Sequence, residues 1–207
     1  MNDLKSARKV GRPREFDVDA ALDAAMRLFW HKGYEGTSLS DLTEAMGVNR
    51  PCLYAAFGNK EELFRKALDR YAEVRGPITS AALARPTARG VAEALLSGSA
   101  EALAQPEHPG CLLVQAALAC GDGAEAIRRE LNVRRGAAVE TLRQRFERAQ
   151  AAGDFPPGAE PADLARYVVT VINGMAVQAA GGAGAEELRR VAEIALGAWP
   201  GEAARAV

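Results

Sequence analysis

Few side chains in this sequence have the types and spacing that covalent or metal chemistry requires. The chain has two histidines and three cysteines, and no glycine-rich phosphate loop, HExxH motif or Ser/His/Asp arrangement is found. Cys111 follows His108-Pro109-Gly110 and is predicted in the first turn of a helix, where the reactive thiolate form is favoured. Two interpretations of Cys111 stay open: a redox or electrophile sensor, and a small buried apolar side chain, which is the commoner role.

His108 and Cys111 are also close enough in sequence to be two metal ligands. The only other histidine is His31, and no carboxylate cluster lies near this pair, whereas a protein metal site usually needs three or four ligands. We therefore predict no metal site, no cofactor and no catalytic residues. The chain is expected not to be an enzyme.

The composition favours a helical, cytoplasmic chain. Hydrophobic residues make up 48% and aromatic residues only 6%, and alanine, the strongest helix former, is abundant in place of large rings. No uncharged apolar stretch reaches the about 18 residues of a membrane-spanning helix, and residues 1–14 lack the apolar segment of a secretory signal. The odd number of cysteines argues against a disulfide framework.

Helical periodicity and capping residues predict an all-α fold of about nine helices. The first four begin after Asp17 or Asp19, Ser38, Asn49 and Asn59, and they end near Gly33, Gly47, Gly58 and Pro77, where proline should kink or end the helix. Five more are predicted over residues 88–104, from Pro109-Gly110 to Gly121, and over 124–152, 162–180 and 185–199.

Two short predicted helices meet at Gly47, which is the arrangement of a helix-turn-helix motif. The second of them would bury Leu53 and Phe57 and expose small side chains together with Arg50 and Tyr54. An arginine can pair with guanine, and small apolar groups can contact thymine methyls. Hydroxyls, a lysine and a helix N-terminus suit phosphates. The predicted DNA contacts in this region are Thr37, Ser38, Asn49, Arg50, Pro51, Cys52, Tyr54 and Lys60.

The N-terminus carries a local excess of positive charge. Residues 1–14 hold five Lys and Arg against one Asp, a charge of +4, although the whole chain has a net charge of −1. Short arms that carry arginine can enter or flank a minor groove, so Arg12 and Arg14 are also predicted DNA contacts. A solvated tail is the alternative. The overall charge argues against an architectural protein that binds any DNA sequence, because such binding needs many cations.

These segments also resemble the DNA-binding domain of the TetR family of repressors. The resemblance covers about residues 11–70 and depends on the runs GRPREFD (11–17), GYEGTSLSDLTEAMGV (33–48) and LYAAFGNKEEL (53–63). It implies an all-α homodimer in which three N-terminal helices bind DNA and a larger C-terminal domain dimerises and holds an inducer. Cys52 is unusual for the exposed recognition face, which leaves the operator sequence open.

On this basis we expect four parts. They are a basic arm over residues 1–14, a helix-turn-helix DNA-binding domain over 15–58, a connecting helix over 59–84, and an effector-binding and dimerisation domain over 85–207. A two-fold dimer would place two recognition helices about 34–36 Å apart on a palindromic operator. The expected partners are double-stranded DNA, a second copy of the chain and a small-molecule effector, with no membrane.

The C-terminal candidates are less specific. An effector pocket is expected to be mostly apolar with a few polar groups, and its candidate residues are Cys111, Gln115, Phe146, Tyr167, Asn173 and Met175. The glycine-cysteine step at Cys111 resembles some electrophile- or oxidant-sensing members of the family. The resemblance implies that the last two helices pair with their twins, with candidate contacts Leu164, Val168, Val171, Leu188, Val191 and Ala195. Packing inside one subunit is the alternative for all of these residues.

The sequence therefore predicts a sequence-specific, homodimeric transcriptional repressor that a small molecule or a reactive electrophile releases from DNA. A transcriptional activator of the same fold and an all-α enzyme are the alternatives.

Overall fold

The computed structural model describes residues 17–118 and 124–200. Within these two ranges the chain forms nine helices and no strand, which confirms the all-α prediction. The helices in chain order are α1 (Val18–Gly36), α2 (Leu39–Met46), α3 (Arg50–Phe57), α4 (Lys60–Leu83), α5 (Ala88–Leu103), α6 (Leu112–Leu118), α7 (Glu125–Ala151), α8 (Pro161–Ala180) and α9 (Ala185–Gly197). None of these described helices is long and apolar enough to cross a membrane.

Side-chain caps fix the beginnings of the N-terminal helices. Asp17, and not Asp19, accepts a backbone N–H at the start of α1. Ser38 and Asn59 each form a reciprocal capping box with the acidic residue three positions later, at the starts of α2 and α4. Gly47 ends α2 in the left-handed conformation (φ 66°), which favours glycine. The chain therefore turns sharply from α2 into α3.

The two predicted helix breakers Gly33 and Pro77 have different effects. Gly33 leaves the helical conformation (φ 70°, ψ 174°), so α1 is kinked there and its last residues follow as a short turn to Gly36. Pro77 lies inside α4, which continues to Leu83, so the helix does not end at the proline. Pro77 is exposed, so water can bind the carbonyl that lacks an N–H partner. Ala82 is buried beyond it and holds the last turn in the core.

The described residues form two apolar cores, and both α6 and α7 contribute to each of them. The first core combines α1 to α4 with the beginning of α7 and contains Phe29, Leu53 and Phe64. The second core combines α5, α7, α8 and α9. The α6 helix contributes Leu112 to the first core and Val114 to the second. Because each buried leucine or phenylalanine contributes about 1.5–3 kcal/mol, α6 is held firmly by both cores.

Candidate nucleic-acid interface and internal cavity

The α3 helix presents a face of small side chains to solvent. Its inner side is fixed by Leu53 and Phe57, which are 0% and 3% exposed. Asn49 caps the helix by accepting the backbone N–H of Cys52 at 2.9 Å. The residues that face outward are exposed as predicted, and they are Arg50, Pro51, Cys52, Tyr54, Ala55 and Ala56. A helix with this small outer face can approach base edges in a major groove closely.

Arg50 and Tyr54 are the two long side chains on that face. The Arg50 Nη2 donates a hydrogen bond to the Ser40 Oγ of α2 at 3.1 Å. This contact limits the rotamers of the guanidinium, whose other N–H groups remain available for a base or a phosphate. Tyr54 is 46% exposed. Both side chains are therefore accessible on the outer face of α3.

The start of α2 corrects one predicted DNA contact. Thr37 is fully buried and its hydroxyl donates to the Gly33 carbonyl oxygen at 2.7 Å, so the side chain cannot contact a phosphate. Ser38 is exposed and caps α2. The Asp41 carboxylate accepts the Ser38 backbone N–H and pairs with Lys32 at 3.0 Å, which lowers the pKa of Asp41 to about 2. This corner of the motif is therefore ordered by charge-assisted contacts.

Lys60 lies at the N-terminus of α4, directly after α3. Its Nζ is 4.5 Å from the centroid of the Tyr34 ring, a cation–π distance. Partial burial lowers the pKa of Lys60 below its ordinary value. The ammonium is thus held next to the end of α3, where the sequence predicts a phosphate contact. Arg12 and Arg14, the two contacts predicted in the basic arm, lie outside the described residues.

An internal cavity of about 290 Å³ lies among α4, α5, α7 and α8, next to the start of α6. Most of its lining is apolar. Its polar and titratable residues are Tyr71, Arg75, Thr79, Ser99, Cys111, Arg135, Thr141 and Asn173. The size is close to the lower limit for small-molecule pockets, about 300 Å³. The cavity can therefore hold a small, mainly apolar molecule.

Cys111 lies at this cavity, immediately before α6. The Tyr71 hydroxyl donates a hydrogen bond to the Cys111 Sγ at 3.2 Å. Burial raises the pKa of Tyr71, so the hydroxyl stays protonated and acts as the donor. Gly110 has φ 83°, and a Cβ there would lie only 2.9 Å from the Ala176 carbonyl oxygen of α8. Glycine is thus required for the close approach that brings Cys111 to the cavity.

The structure brings only two of the six predicted effector residues to the cavity, Cys111 and Asn173. The other four serve packing or hydrogen bonding elsewhere. Gln115 donates to the Pro109 carbonyl oxygen at 2.9 Å. Tyr167 donates to the Ala195 carbonyl oxygen at 2.9 Å. Phe146 and Met175 are 0% and 1% exposed and belong to the second core.

Sequence reasoning missed the cavity face of α4. Tyr71, Arg75, Ile78 and Thr79 line the cavity, and their spacing of four, three and one residues is that of a single helical face. That spacing was a usable signal. The cavity face was missed because residues 59–84 were predicted to be a helix that only connects the two domains.

Most of the predicted dimer contacts are core residues of one subunit. Leu164, Val168, Leu188 and Ala195 are between 0% and 9% exposed and pack in the second core. Their apolar stripe is the inner face of α8 and α9. The prediction that these four residues are dimer contacts is therefore wrong, because they pack inside the subunit. Val171 is partly buried against the same core. The sixth candidate, Val191, is exposed, and the outer side of these two helices also exposes Val177 and Ile194.

A cluster of rings joins α1 to the segment before α6. The Trp30 Nε1 donates to the Pro109 carbonyl oxygen at 3.3 Å, and its ring stacks on His108 at 5.4 Å between centroids. The Nδ1 of His108 and the Nε2 of His31 lie 3.3 Å apart. Burial, His31 and Arg27 hold the pKa of His108 below its ordinary value. This ring cluster directly couples the cavity side of the molecule to the first helix.

Two family descriptions match this chain. Residues 21–67 match the family of bacterial regulatory proteins called tetR, and residues 89–195 match a tetracyclin repressor-like C-terminal domain. The HTH-type transcriptional repressor ComR of Escherichia coli (strain K12) is 39% identical over 194 residues, which cover 92% of each chain. The repressor BdcR of the same strain is 29% identical and covers 92% of this chain and 93% of its own.

A solved structure shows the same arrangement of helices bound to DNA. A cysteine variant of the regulator CifR, in complex with a 26-base-pair double-stranded operator, is 43% identical with a TM-score of 0.86. The match covers 92% of this chain and all of that one. The reduced form of NemR from E. coli is 21% identical with a TM-score of 0.74, over 86% of this chain and 94% of that one, and supports the fold alone.

Proposed function

The chain belongs to the TetR family of bacterial regulatory proteins, and from that premise we propose that it binds a palindromic operator as a homodimer and is released by a small molecule in the internal cavity. It is a DNA-binding transcriptional repressor and not an enzyme. Because its target is bacterial DNA, we place it in the cytoplasm. The observation that carries the proposal is the small, solvent-facing side of α3, directly after the tight turn at Gly47.

The DNA-binding step assigns different roles to the residues on and around α3. Arg50 contacts a base edge, and guanine is the base that a guanidinium pairs with best. Tyr54, Ser38 and Lys60 contact phosphates, which fixes the position of the protein on the duplex without selecting its sequence. Arg12 and Arg14 of the basic arm contact the neighbouring minor groove. Support comes from the exposure of α3 and from the placement of Lys60 at its end.

The homodimer is proposed to form through the outer sides of α8 and α9. Ile194 is 75% exposed, and Val177 and Val191 are 45% and 41% exposed. Exposed apolar residues on two neighbouring helices favour a protein interface there. A two-fold interface there would pair each α8 and α9 with its twin. The two copies of α3 would then contact two half-sites of an inverted repeat.

The release step is proposed to act through α6. Cys111 and Leu113 line the cavity, while Leu112 packs in the core of the DNA-binding domain. A ligand that moves the start of α6 therefore also moves α1, through Leu112 and through the contact between Trp30 and Pro109. A dimer with altered spacing between its α3 helices binds the operator more weakly, so the ligand shifts the population away from DNA.

A reactive electrophile is a second candidate effector. Cys111 is partly exposed and lies at the cavity, and the Tyr71 hydroxyl can stabilise a negative charge on its sulfur by hydrogen bonding. The Sγ would add to the electron-poor carbon of an activated C=C bond, whose π bond breaks, and the thiol proton would reach the neighbouring carbon through solvent. Mass spectrometry after treatment with a mild electrophile shows whether Cys111 is modified. Measuring operator release by the Cys111→Ser variant under the same treatment shows whether that modification causes the release. Retained release in Cys111→Ser would contradict it.

Selection of bound sequences from a random DNA library tests the main proposal. The purified full chain at near-physiological salt should enrich one inverted repeat, and ultracentrifugation should show a dimer on it. The Arg50→Ala variant should enrich the repeat poorly, while Arg148→Gln, which removes an exposed arginine of α7, serves as the charge control. Enrichment of a single half-site by a folded monomer would contradict the homodimer, and no enrichment by a folded dimer would contradict specific binding.

A further inference from the structure

The charges of the cavity lining point to the chemical class of its ligand. Two arginines, Arg75 and Arg135, line the cavity, and no Asp or Glu is found among its described lining residues. We propose that the cavity binds an apolar carboxylate, whose head group pairs with the Arg135 guanidinium and whose apolar body fills the rest of the space. This inference rests on the proposed function, because it identifies the ligand of the proposed effector site.

Arg135 is the residue that carries the proposal. Its Nε is buried and has no hydrogen-bond partner, and among the described residues no carboxylate lies within ion-pair distance of its guanidinium. A buried N–H without a partner is rare in folded proteins, because it has given up its hydrogen bond to water and gained none in return. A carboxylate accepts two parallel hydrogen bonds from a guanidinium. A carboxylate ligand would therefore supply the partner that Arg135 lacks.

The position of Arg135 indicates where the head group lies. Arg135 and Asn173 line both the cavity and a surface groove between α7 and α8. The head group would therefore lie at this boundary, with the Asn173 amide as a second donor. The apolar body would extend inward past Leu142 and Ile172 towards Cys111. This orientation keeps the charged end near water and the apolar end among apolar side chains.

The other polar groups of the lining do not favour a different class of ligand. The hydroxyls of Thr79 and Thr141 donate to carbonyl oxygens of their own helices, Arg75 and Ala137. The Arg75 guanidinium donates to the Ala102 carbonyl oxygen at 3.1 Å and lies over the rings of Trp30 and Tyr71. No acidic residue of the described ranges pairs with it, so it adds to the positive potential of the cavity. A cationic ligand would be repelled by both guanidinium groups.

Calorimetric titration of the full chain with matched acids and alcohols tests the inference. The probes are octanoate and octanol, phenylpropanoate and phenylpropanol, and acetate as the head group alone. We expect at least one acid to bind about tenfold more tightly than its alcohol, because a charge-assisted pair is formed with the acid alone. Acetate should bind weakly, since it lacks the apolar body.

Two variants show whether Arg135 causes the difference in affinity between an acid and its alcohol. In Arg135→Gln the acid should bind about as weakly as its alcohol, whereas Arg148→Gln, on the same helix but outside the cavity, should retain the difference. The melting temperature of ligand-free Arg135→Gln should not fall, because the Arg135 Nε has no hydrogen-bond partner to lose. Equal binding of acids and alcohols, an unchanged difference in Arg135→Gln, or no binding by either acid would overturn the inference.

Operator binding measured with the same probes separates this inference from the proposed function. If an acid binds through Arg135 but the operator stays bound, the ligand class stands and the proposed release step fails. If the alcohols release the operator as well as the acids do, the release step stands and the carboxylate inference fails.

Discussion

At the scale of single residues, Arg50 and Lys60 are assigned different tasks in DNA binding. Arg50 lies on the outer face of α3, whereas Lys60 lies beyond the end of that helix and stacks on Tyr34. A base contact affects one sequence more than others, and a phosphate contact affects all sequences alike. The two side chains therefore make separable contributions to affinity and to specificity.

Substitution of each residue should reveal this difference. Arg50→Ala should weaken binding to the preferred site by about 1–3 kcal/mol and reduce discrimination at one base pair of each half-site. Lys60→Gln should weaken binding to all sequences similarly and lower the slope of log affinity against log salt by about one. Fluorescence anisotropy with single-base variants of the site, repeated at several salt concentrations, measures the affinity, the discrimination between bases and the salt slope of each variant. Equal losses on all sequences in Arg50→Ala would contradict its role at a base.

His108 is the residue whose titration should change stability. Its pKa is held below its ordinary value of 6.5 by burial, by His31 and by Arg27. As the pH falls through about 6.5, the unfolded chain therefore takes up a proton that the folded chain resists. The free energy of unfolding contributed by His108 is present above that pH and is lost as the pH falls below it.

Urea denaturation should show this dependence. Between about pH 7.5 and about pH 5.5 the unfolding midpoint of the natural chain should fall. His108→Gln cannot titrate, so its midpoint should fall less over the same range. If both proteins lose the same stability, His108 does not titrate in the way proposed.

At the scale of helices, caps and turns were predictable from the sequence because they depend on neighbouring residues. Ser38, Asn49 and Asn59 are recognisable as caps, and the structure confirms each of them. The outer face of α3 was predictable for the same reason, since Leu53 and Phe57 define its inner side. Thr37 was the exception, because burial of its hydroxyl depends on the conformation of Gly33.

Contacts between distant helices were not predictable from spacing alone. The apolar stripe of α8 shows that Leu164 and Val168 share a face, but the spacing does not say whether that face packs inside the subunit or against a partner. The structure places both in the core. Phe146 and Tyr167 were assigned to a pocket on their residue type, but Phe155 and Trp199 pack on Phe146 and leave it no free surface.

At the scale of the whole molecule, the outer faces of α8 and α9 are proposed to join two copies. Ile194→Asp places a carboxylate on this surface, and burying an unpaired charge costs several kcal/mol. We expect the variant to be monomeric at concentrations where the natural chain is dimeric. Since Ile194 is 75% exposed in one subunit, the fold should be unaffected.

Val133→Asp is the matched control. Val133 is 70% exposed, and it lies on α7, which is not one of the two helices of the proposed interface. Sedimentation velocity should therefore show a dimer for Val133→Asp and a monomer for Ile194→Asp. A dimer in both variants would place the interface elsewhere on the molecule.

The most direct test of the account is the affinity of the natural chain for its selected inverted repeat as the spacing of the half-sites is changed. Inserting about five base pairs, half a helical turn, moves the two half-sites to opposite sides of the duplex. A homodimer that contacts both half-sites through paired α3 helices should then bind at least about 100-fold more weakly, and a further insertion of the same length should restore part of the affinity. Affinity that does not depend on the spacing would mean that each chain binds its half-site alone, and it would contradict the proposed dimer.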